Sequence, residues 1–189
     1  MKKPILTIIT SLGLCLSGWA ANLVWTPTTA NWDLATTNWK NTNTSAIVAF
    51  AQGDDVLFDD TGSAFTSVVI SGSLTPGAVV VDSSLDYTFT TNTAVANSKL
   101  ANVSLVTKRG SGRLTLDTDN TITAPTVIEA GTLEIGAAGG RGDLGSGNIT
   151  NYGTLSCNRT GTLNSSNNIS GTGALAMAST TAFGSSTSH

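Results

Sequence analysis

The sequence has little charge, few aromatic residues and almost none of the side chains used in acid–base or metal chemistry. Charged residues make up 11% and aromatic residues 6% of the 189 residues, whereas an average domain carries about twice this fraction of charge. The only histidine is the last residue, His189, and there are two cysteines. A catalytic triad and a histidine-ligated zinc site both need histidine in the folded part of a chain. We therefore expect no enzyme activity, no cofactor and no metal site.

Helical periodicity is also missing beyond the first twenty residues. No stripe of apolar residues repeats every 3.6 positions, and β-branched residues dominate the apolar set. Glycine, with 20 residues, and abundant Ser, Thr and Asn are typical of short strands joined by tight turns. The sequence therefore predicts an all-β protein.

Residues 1–20 have the pattern of a secretory signal peptide. Lys2 and Lys3 precede a mostly apolar segment, 5–16, and small residues then lead to a cleavage site after Ala20. About 12 apolar residues are too few to span a bilayer. We predict export with removal of the signal peptide, and no membrane span in the mature chain.

Removal of the signal peptide would leave an acidic chain with one cysteine. The whole chain has nine basic and twelve acidic residues, so loss of Lys2 and Lys3 leaves seven basic residues and a net charge of −5. A chain with this charge does not attract nucleic acid or anionic lipid. Cys157 then has no cysteine with which to form an intrachain disulfide, and we expect it to be a small buried residue rather than a reactive thiol.

A five-residue motif recurs about every 20 residues in the second half of the chain. It consists of glycine, any residue, leucine, any residue and an apolar residue, and its glycines are Gly112, Gly131, Gly153 and Gly173. Because side chains alternate along a strand, the leucine and the apolar residue lie on the same face. The resulting core pairs are Leu114 and Leu116, Leu133 and Ile135, Leu155 and Cys157, and Leu175 and Met177.

One such unit cannot bury its own apolar stripe, but stacked units can. We therefore predict a right-handed parallel β-helix (β-solenoid) with coils of about 20 residues over 53–177, with the repeat strongest over 105–177. A β-sandwich is the alternative, but it does not require one motif at nearly constant spacing. The Trp-rich segment 21–52 is predicted to cap the first coil, and 178–189 is a Ser/Thr-rich tail or a truncation point. Earlier strands are predicted at 54–60, 67–70, 78–81 and 87–91.

The segment 105–135 holds two copies of the motif in a distinctive context. It contains Leu105-Val106-Thr107-Lys108-Arg109-Gly110-Ser111-Gly112-Arg113-Leu114-Thr115-Leu116 and then Val127-Ile128-Glu129-Ala130-Gly131-Thr132-Leu133. This stretch resembles the bacterial autotransporter-associated β-strand repeat family, also called passenger-associated transport repeats, and weaker similarity covers most of 22–177. The resemblance implies a secreted β-helical passenger, displayed at the cell surface or released, and it brings no catalytic residues. Since no capping segment is evident in 178–189, we expect the N-terminal part of a longer passenger or a truncated one.

Three tryptophans precede the repeats at a spacing of seven residues. Flat aromatic faces stack on sugar rings, which makes these side chains candidate ligand residues. The alternative, which we favour, is that they cover the exposed end of the first coil. The three residues are Trp25, Trp32 and Trp39.

Three further groups of residues each have a functional and a structural interpretation, and we favour the structural one for each. A mixed-charge cluster could line the groove of a polysaccharide lyase or form solvated turns, and it comprises Lys108, Arg109, Arg113, Asp117 and Asp119. Paired aspartates could bind calcium or form turns, and they are Asp54, Asp55, Asp59 and Asp60. The cell-receptor tripeptide Arg141-Gly142-Asp143 is expected to be a chance sequence in a glycine-rich loop.

Low charge and a solenoid pattern favour a secreted or cell-surface structural module, adhesive or surface-displayed and non-catalytic. The alternative is a polysaccharide-binding or polysaccharide-degrading, lyase-like β-helix protein, because the fold alone does not distinguish the two. The expected partner is an unidentified surface or polysaccharide ligand, and not nucleic acid.

The signal-peptide pattern predicts that the exported protein begins near Ala21. The mass of the exported chain, measured by mass spectrometry, should be that of residues 21–189. Exported protein that still carries Met1 to Ala20 would contradict this prediction.

Overall fold

The computed structural model describes residues 20–161, 163 and 166–177. The predicted signal peptide, apart from Ala20, and the predicted tail 178–189 lie outside the described residues. Over the described residues the structure contains strands and one short 3₁₀ turn, Asp60–Gly62. In chain order the strands are β1 (Asn22–Trp25), β2 (Asn31–Trp32), β3 (Trp39–Asn41), β4 (Ile47–Val48), β5 (Asp55–Phe58), β6 (Ser67–Ile70), β7 (Ser73–Leu74), β8 (Ala78–Asp82), β9 (Tyr87–Thr91), β10 (Lys99–Leu100), β11 (Leu105–Arg109), β12 (Arg113–Asp117), β13 (Asp119–Ile122), β14 (Thr126–Ile128), β15 (Thr132–Ile135), β16 (Asp143–Gly145), β17 (Ile149–Asn151), β18 (Thr154–Cys157), β19 (Ile169–Ser170) and β20 (Ala174–Met177).

The strands wind into a β-solenoid with three faces, and the four coils from β5 to β16 each contribute one strand to every face in turn. Face A is the parallel stack β1, β5, β8, β11, β14, β17 and β19. Face B is the parallel stack β2, β6, β9, β12, β15, β18 and β20. Face C contains β7, β10, β13 and β16, joined by parallel pairing and by a bridge between Ala101 and Thr121. The predicted β-solenoid is confirmed.

The coils are longer in the first half of the chain than the motif predicts. On face A, Val106 pairs with Thr126, 20 residues later, but Val79 pairs with Val106, 27 residues later. The average is about 23 residues a coil over about five turns. Most of the extra length in this 27-residue coil lies in the loop 92–98 between β9 and β10.

Equivalent leucines of the motif stack in one register on face B. Leu114 pairs with Leu133, Leu133 with Leu155, and Leu155 with Leu175. The first three are at most 1% exposed, and their apolar neighbours Leu116, Ile135 and Cys157 are at most 2% exposed.

The two core residues of the last coil depart from the expected burial. Leu175 is 41% and Met177 42% exposed. Both keep the register of the ladder, Leu175 opposite Leu155 and Met177 opposite Cys157. Their strand, β20, is the outermost strand of face B among the described residues, so only one side of it is covered by a neighbouring strand.

The glycine that opens each motif sits where successive coils touch through their backbones. A Cβ atom on Gly131 would lie 2.5 Å from the carbonyl oxygen of Gly112, one on Gly153 would lie 2.6 Å from that of Gly131, and one on Gly173 would lie 2.5 Å from that of Gly153. The same carbonyls accept hydrogen bonds from the next coil, for example Thr154 N to Gly131 O at 2.9 Å. Glycine therefore recurs because no side chain fits at this corner between faces A and B.

The Trp-rich segment forms the first end of the solenoid. Its strands β1 and β2 already belong to the parallel stacks of faces A and B. The strands β3 and β4 then pair antiparallel along the free edge of β1. This reversal of direction ends the parallel stack on face A with a hairpin instead of an open edge.

Buried asparagine side chains replace backbone hydrogen bonds where the strands are irregular. Asn120 is 3% exposed; its Oδ1 accepts from Leu100 N at 2.9 Å and its Nδ2 donates to Asp143 O at 3.0 Å, which links three coils. Asn151 donates to Ala174 O at 2.9 Å. Polar groups inside the solenoid therefore connect successive coils, as buried polar groups must find partners.

We predict that Gly153→Ala lowers the free energy of unfolding by about 1–3 kcal/mol, because the new methyl group would press on the backbone of the preceding coil. Chemical denaturation of the purified chain measures the change. The matched control is Gly139→Ala, since a Cβ atom at Gly139 meets nothing within 4 Å. Equal stability of the two variants would contradict the close-contact explanation of the motif.

Candidate functional site

The three tryptophans form a closed aromatic cluster. Trp25, Trp32 and Trp39 are each 0% exposed. Trp39 lies 4.9 Å from Trp25 and 5.3 Å from Trp32 between ring centroids, and all three rings surround Phe58. With no exposed ring surface, the tryptophans present no face on which a sugar could stack. Their position places them in the core under the first coil.

The four aspartates around β5 bind backbone amides. Asp54 accepts from Ala21 N at 2.8 Å and Ala51 N at 2.9 Å, and Asp55 accepts from Ala78 N at 2.7 Å. These bonds tie neighbouring coils together, as aspartates in turns commonly do.

The other two aspartates act in the same way at the far end of β5. Asp59 accepts from Thr61 N at 2.9 Å and Asp60 from Ser84 N at 2.8 Å. Hydrogen bonds from Ser83 and Ser84 hold the pKa of the Asp60 carboxyl below its ordinary value. Within the described ranges, no three His, Cys, Asp or Glu residues come together as a group that could hold a metal ion.

The predicted mixed-charge cluster is divided among different faces of the solenoid. Arg109 lies on face A and forms an exposed bidentate ion pair with Glu129. Its Nε donates to Glu129 Oε2 at 2.9 Å and its Nη2 donates to Glu129 Oε1 at 3.2 Å. Arg113 lies on face B and contacts Glu134 at 3.1 Å. Asp119 begins β13 on face C. These charges therefore do not line one groove.

Glu134 joins three coils on face B. It is 7% exposed and accepts from Arg113, from the Thr115 hydroxyl at 3.4 Å and from the Ser156 hydroxyl at 3.4 Å. Thr115 and Ser156 are its register partners on the strands either side. The carboxylate is occupied with structural hydrogen bonds.

Lys108 points into the core. It is 0% exposed and stacks in register between Val81 and Ile128, both also 0% exposed. Its Nζ donates to the carbonyls of Arg109 and Gly110 at the corner between faces A and B. Burial lowers the pKa of the Lys108 ammonium, and this effect is opposed by the nearby carboxylates of Asp82 and Asp86. An enclosed ammonium of this kind cannot reach a polymer at the surface.

The described residues also form concave surfaces, some apolar and some polar. A groove of about 370 Å³ on the outside of face A is walled by Val24, Leu57 and Val80, with Asp82 and Arg109 at one side. Its walls are aliphatic, and Arg109 is already paired with Glu129. This groove offers mainly apolar surface, and Asp55, one of the two aspartates that line it, already accepts a hydrogen bond from Ala78 N at 2.7 Å.

Two polar concavities lie on face C. A pocket of about 340 Å³ is formed by the loop 92–98 together with Lys99, Asp119 and Arg141. A second pocket, of about 260 Å³, follows on the next residues of the same strands, and its lining includes Asn120, Thr121, Asp143 and Ser146. No sequence motif marks this site, because Lys99 and Arg141 are 42 residues apart and come together through the register of face C.

The Arg141-Gly142-Asp143 tripeptide is a loop that enters β16. Gly142 has φ +108°, and its N–H donates to Asp119 at 3.1 Å. Asp143 accepts from Gly145 N at 2.7 Å, so its carboxylate is engaged locally. The tripeptide thus has a structural role at the edge of the polar pockets.

The middle of the chain matches a known repeat. Residues 106–135 match the family model described as Passenger-associated-transport-repeat. The chain carries a passenger-associated transport repeat. The resemblance seen in the sequence is confirmed for this segment. No curated protein and no solved structure matches the chain.

The passenger-associated transport repeat runs from β11 to β15, which is one full coil and two strands of the next. It contains two of the touching glycines, Gly112 and Gly131, and both members of the Arg109–Glu129 pair. The repeat therefore includes residues that join successive coils. Among the described residues, no helix has the length and apolar character needed to cross a membrane.

We predict that Lys108→Met changes how stability depends on pH. The folded pKa of Lys108 lies below its ordinary value of 10.5, so between these two pKa values the unfolded chain binds the extra proton. The stability of the native chain should therefore rise with pH over that window, and the Lys108→Met variant should lack this rise. The measurement is urea denaturation at several pH values from about 8 to 10.5.

The control for this prediction is Lys40→Met, at an exposed position of the hairpin. Burial raises the pKa of Tyr87, which acts in the opposite direction above about pH 10, but this residue is common to all three proteins. An identical pH profile for the native chain and Lys108→Met would contradict the buried placement of the ammonium.

Proposed function

We propose that the chain is a secreted or cell-surface structural passenger module that acts without catalysis. The observation that supports this most strongly is the position of the passenger-associated transport repeat inside an uninterrupted parallel stack. A family of repeats associated with passenger transport favours an exported location, in agreement with the signal-peptide pattern of residues 1–20.

The use of the charged side chains supports a structural role. Asp54, Asp55 and Glu134 bind groups of neighbouring coils, and Lys108 is enclosed in the core. A solenoid of this kind adds about 4.8 Å of length for each coil. It presents the same surface many times, which suits display or multivalent adhesion.

A polysaccharide-binding module is the second candidate. The polar pockets of face C favour it, because hydroxyl and amide side chains line an open surface there. The tryptophans do not contribute to this candidate, since they are enclosed. A degrading enzyme receives less support, because the charged residues expected to line its groove lie on different faces.

The structural proposal predicts export without polymer cleavage. The full chain, expressed in a bacterium, should be found outside the cytoplasm, and deletion of residues 2–20 should retain it inside. The exported protein should release no new reducing or unsaturated ends from pectin, alginate or chitin, with or without calcium. Cleavage that is lost in Arg113→Ala would overturn the non-catalytic proposal, and cytoplasmic retention of the full chain would overturn export.

A further inference from the structure

We propose that the polar pocket on face C binds a carboxylated sugar unit of an acidic polysaccharide, with Lys99 and Arg141 holding the carboxylate. This inference rests on the proposed function only in that an exported chain would meet such polymers. It assigns a ligand class and a site to a surface that the structural role leaves unused.

The distribution of basic side chains singles out this pocket. Of the seven basic residues among those described, Arg109 and Arg113 are ion-paired and Lys108 is buried. Arg159 donates to backbone carbonyls of the loop that precedes β16. The side chains of the other three, Lys40, Lys99 and Arg141, form no hydrogen bond or ion pair with the described residues. Lys99 and Arg141 line the same pocket.

Asp119, the aspartate that lines the pocket, is hydrogen-bonded to a backbone N–H and not to Lys99 or Arg141. Lys99 and Asp119 are neighbours on adjacent strands, because the bridge between Ala101 and Thr121 sets their register. Asp119 nevertheless accepts from Gly142 N, at 3.1 Å, and forms no ion pair with Lys99. The same bond fixes the backbone next to Arg141. Two cations therefore face one carboxylate that already has a partner, and the pocket keeps a positive excess in an acidic protein.

The uncharged side chains that line the pocket suit an anion that also carries hydroxyl groups, such as a carboxylated sugar, better than a simple anion. Among the uncharged lining residues, Thr93 and Asn97 have hydroxyl and amide groups that form no hydrogen bond with the described residues. Thr91, Asn92 and Ser98 already bond within the protein, and Val95 is apolar. None of the described residues that line the pocket is aromatic, which disfavours stacking of nucleic-acid bases. Its volume of about 340 Å³ lies in the range of small-ligand sites, about 300–1,000 Å³.

The second polar pocket gives the site an extension for a polymer. Asp119 lines the first pocket, and the next residue, Asn120, lines the second. Likewise, Arg141 lines the first pocket and Asp143, two residues later, lines the second. Because a strand advances about 3.3 Å per residue, the two pockets lie side by side across face C. Neighbouring sugar units could occupy both pockets, while one carboxylate forms charge-assisted hydrogen bonds to Lys99 and Arg141.

The test is calorimetric titration of the mature chain with polygalacturonate oligosaccharides. Binding is expected, and it should weaken as salt is added. The same oligosaccharides with methyl-esterified carboxyls should bind at least about tenfold more weakly, since each lost charge-assisted hydrogen bond is worth about 1.5–3 kcal/mol.

The decisive variant is Lys99→Gln with Arg141→Gln, compared with Lys40→Gln as the control at an exposed lysine outside the pocket. The double variant should lose at least tenfold in affinity, and the control should bind as the native chain does. If the double variant is misfolded by circular dichroism, Arg141→Gln alone is used, since the Arg141 side chain bonds to no described residue.

The proposal is overturned by any of three results. The first is that the native chain binds neither polygalacturonate nor alginate. The second is that esterified oligosaccharides bind as tightly as the non-esterified ones. The third is that the double variant binds with the affinity of the native chain. Stronger binding of inorganic polyphosphate than of polygalacturonate would also overturn it, in favour of a general anion site. None of these results bears on export or on the absence of polymer cleavage, so the structural proposal is tested separately.

Discussion

The structure depends on direct contact between the backbones of successive coils at the corner between faces A and B. Gly112, Gly131, Gly153 and Gly173 meet there with no space for a side chain. This contact brings each coil to the strand spacing at which backbone hydrogen bonds form on both faces. It also places the leucine two residues later directly over the leucine of the coil before. One small residue therefore fixes both the hydrogen-bonded stack and the apolar ladder inside it.

The stacking of the coils also decides which polar side chains contact each other. On the outside, Glu134 and the Arg109–Glu129 pair join side chains that the register has brought together. Inside, Asn120 bonds to backbone groups of the two neighbouring coils, and Lys108 bonds to backbone carbonyls at the corner between faces A and B. Many charges of the described chain are thus used in joining coils. On face C, by contrast, Lys99 and Arg141 have no such partner among the described residues, and the surface is concave. This contrast separates the part of the surface that holds the fold from the part that can bind a ligand.

The core of the second half could be predicted from the sequence, because Leu114, Leu133 and Leu155 occupy equivalent places in a short repeat. The exposure of Leu175 could not, since a motif does not report what covers its coil. The charge pattern alone predicts a solvated Lys108, but this residue stands two positions after the inward Val106 and therefore shares its face. The polar site was not predictable, because the glycine motif marks the corner of faces A and B and carries no information about face C.

The most direct test of the in-register stack is disulfide formation between neighbouring coils on the outside of face A. Val127 lies opposite Thr150, while Tyr152 stands two residues further along. In adjacent strands the first pair has Cα atoms about 4.8 Å apart and the second about 8 Å, and a disulfide needs less than about 7 Å. Under mild oxidation, the Val127→Cys/Thr150→Cys protein should cross-link and the Val127→Cys/Tyr152→Cys protein should not, as read by peptide mass mapping. Equal cross-linking of both, or cross-linking of the second alone, would contradict the stacked register.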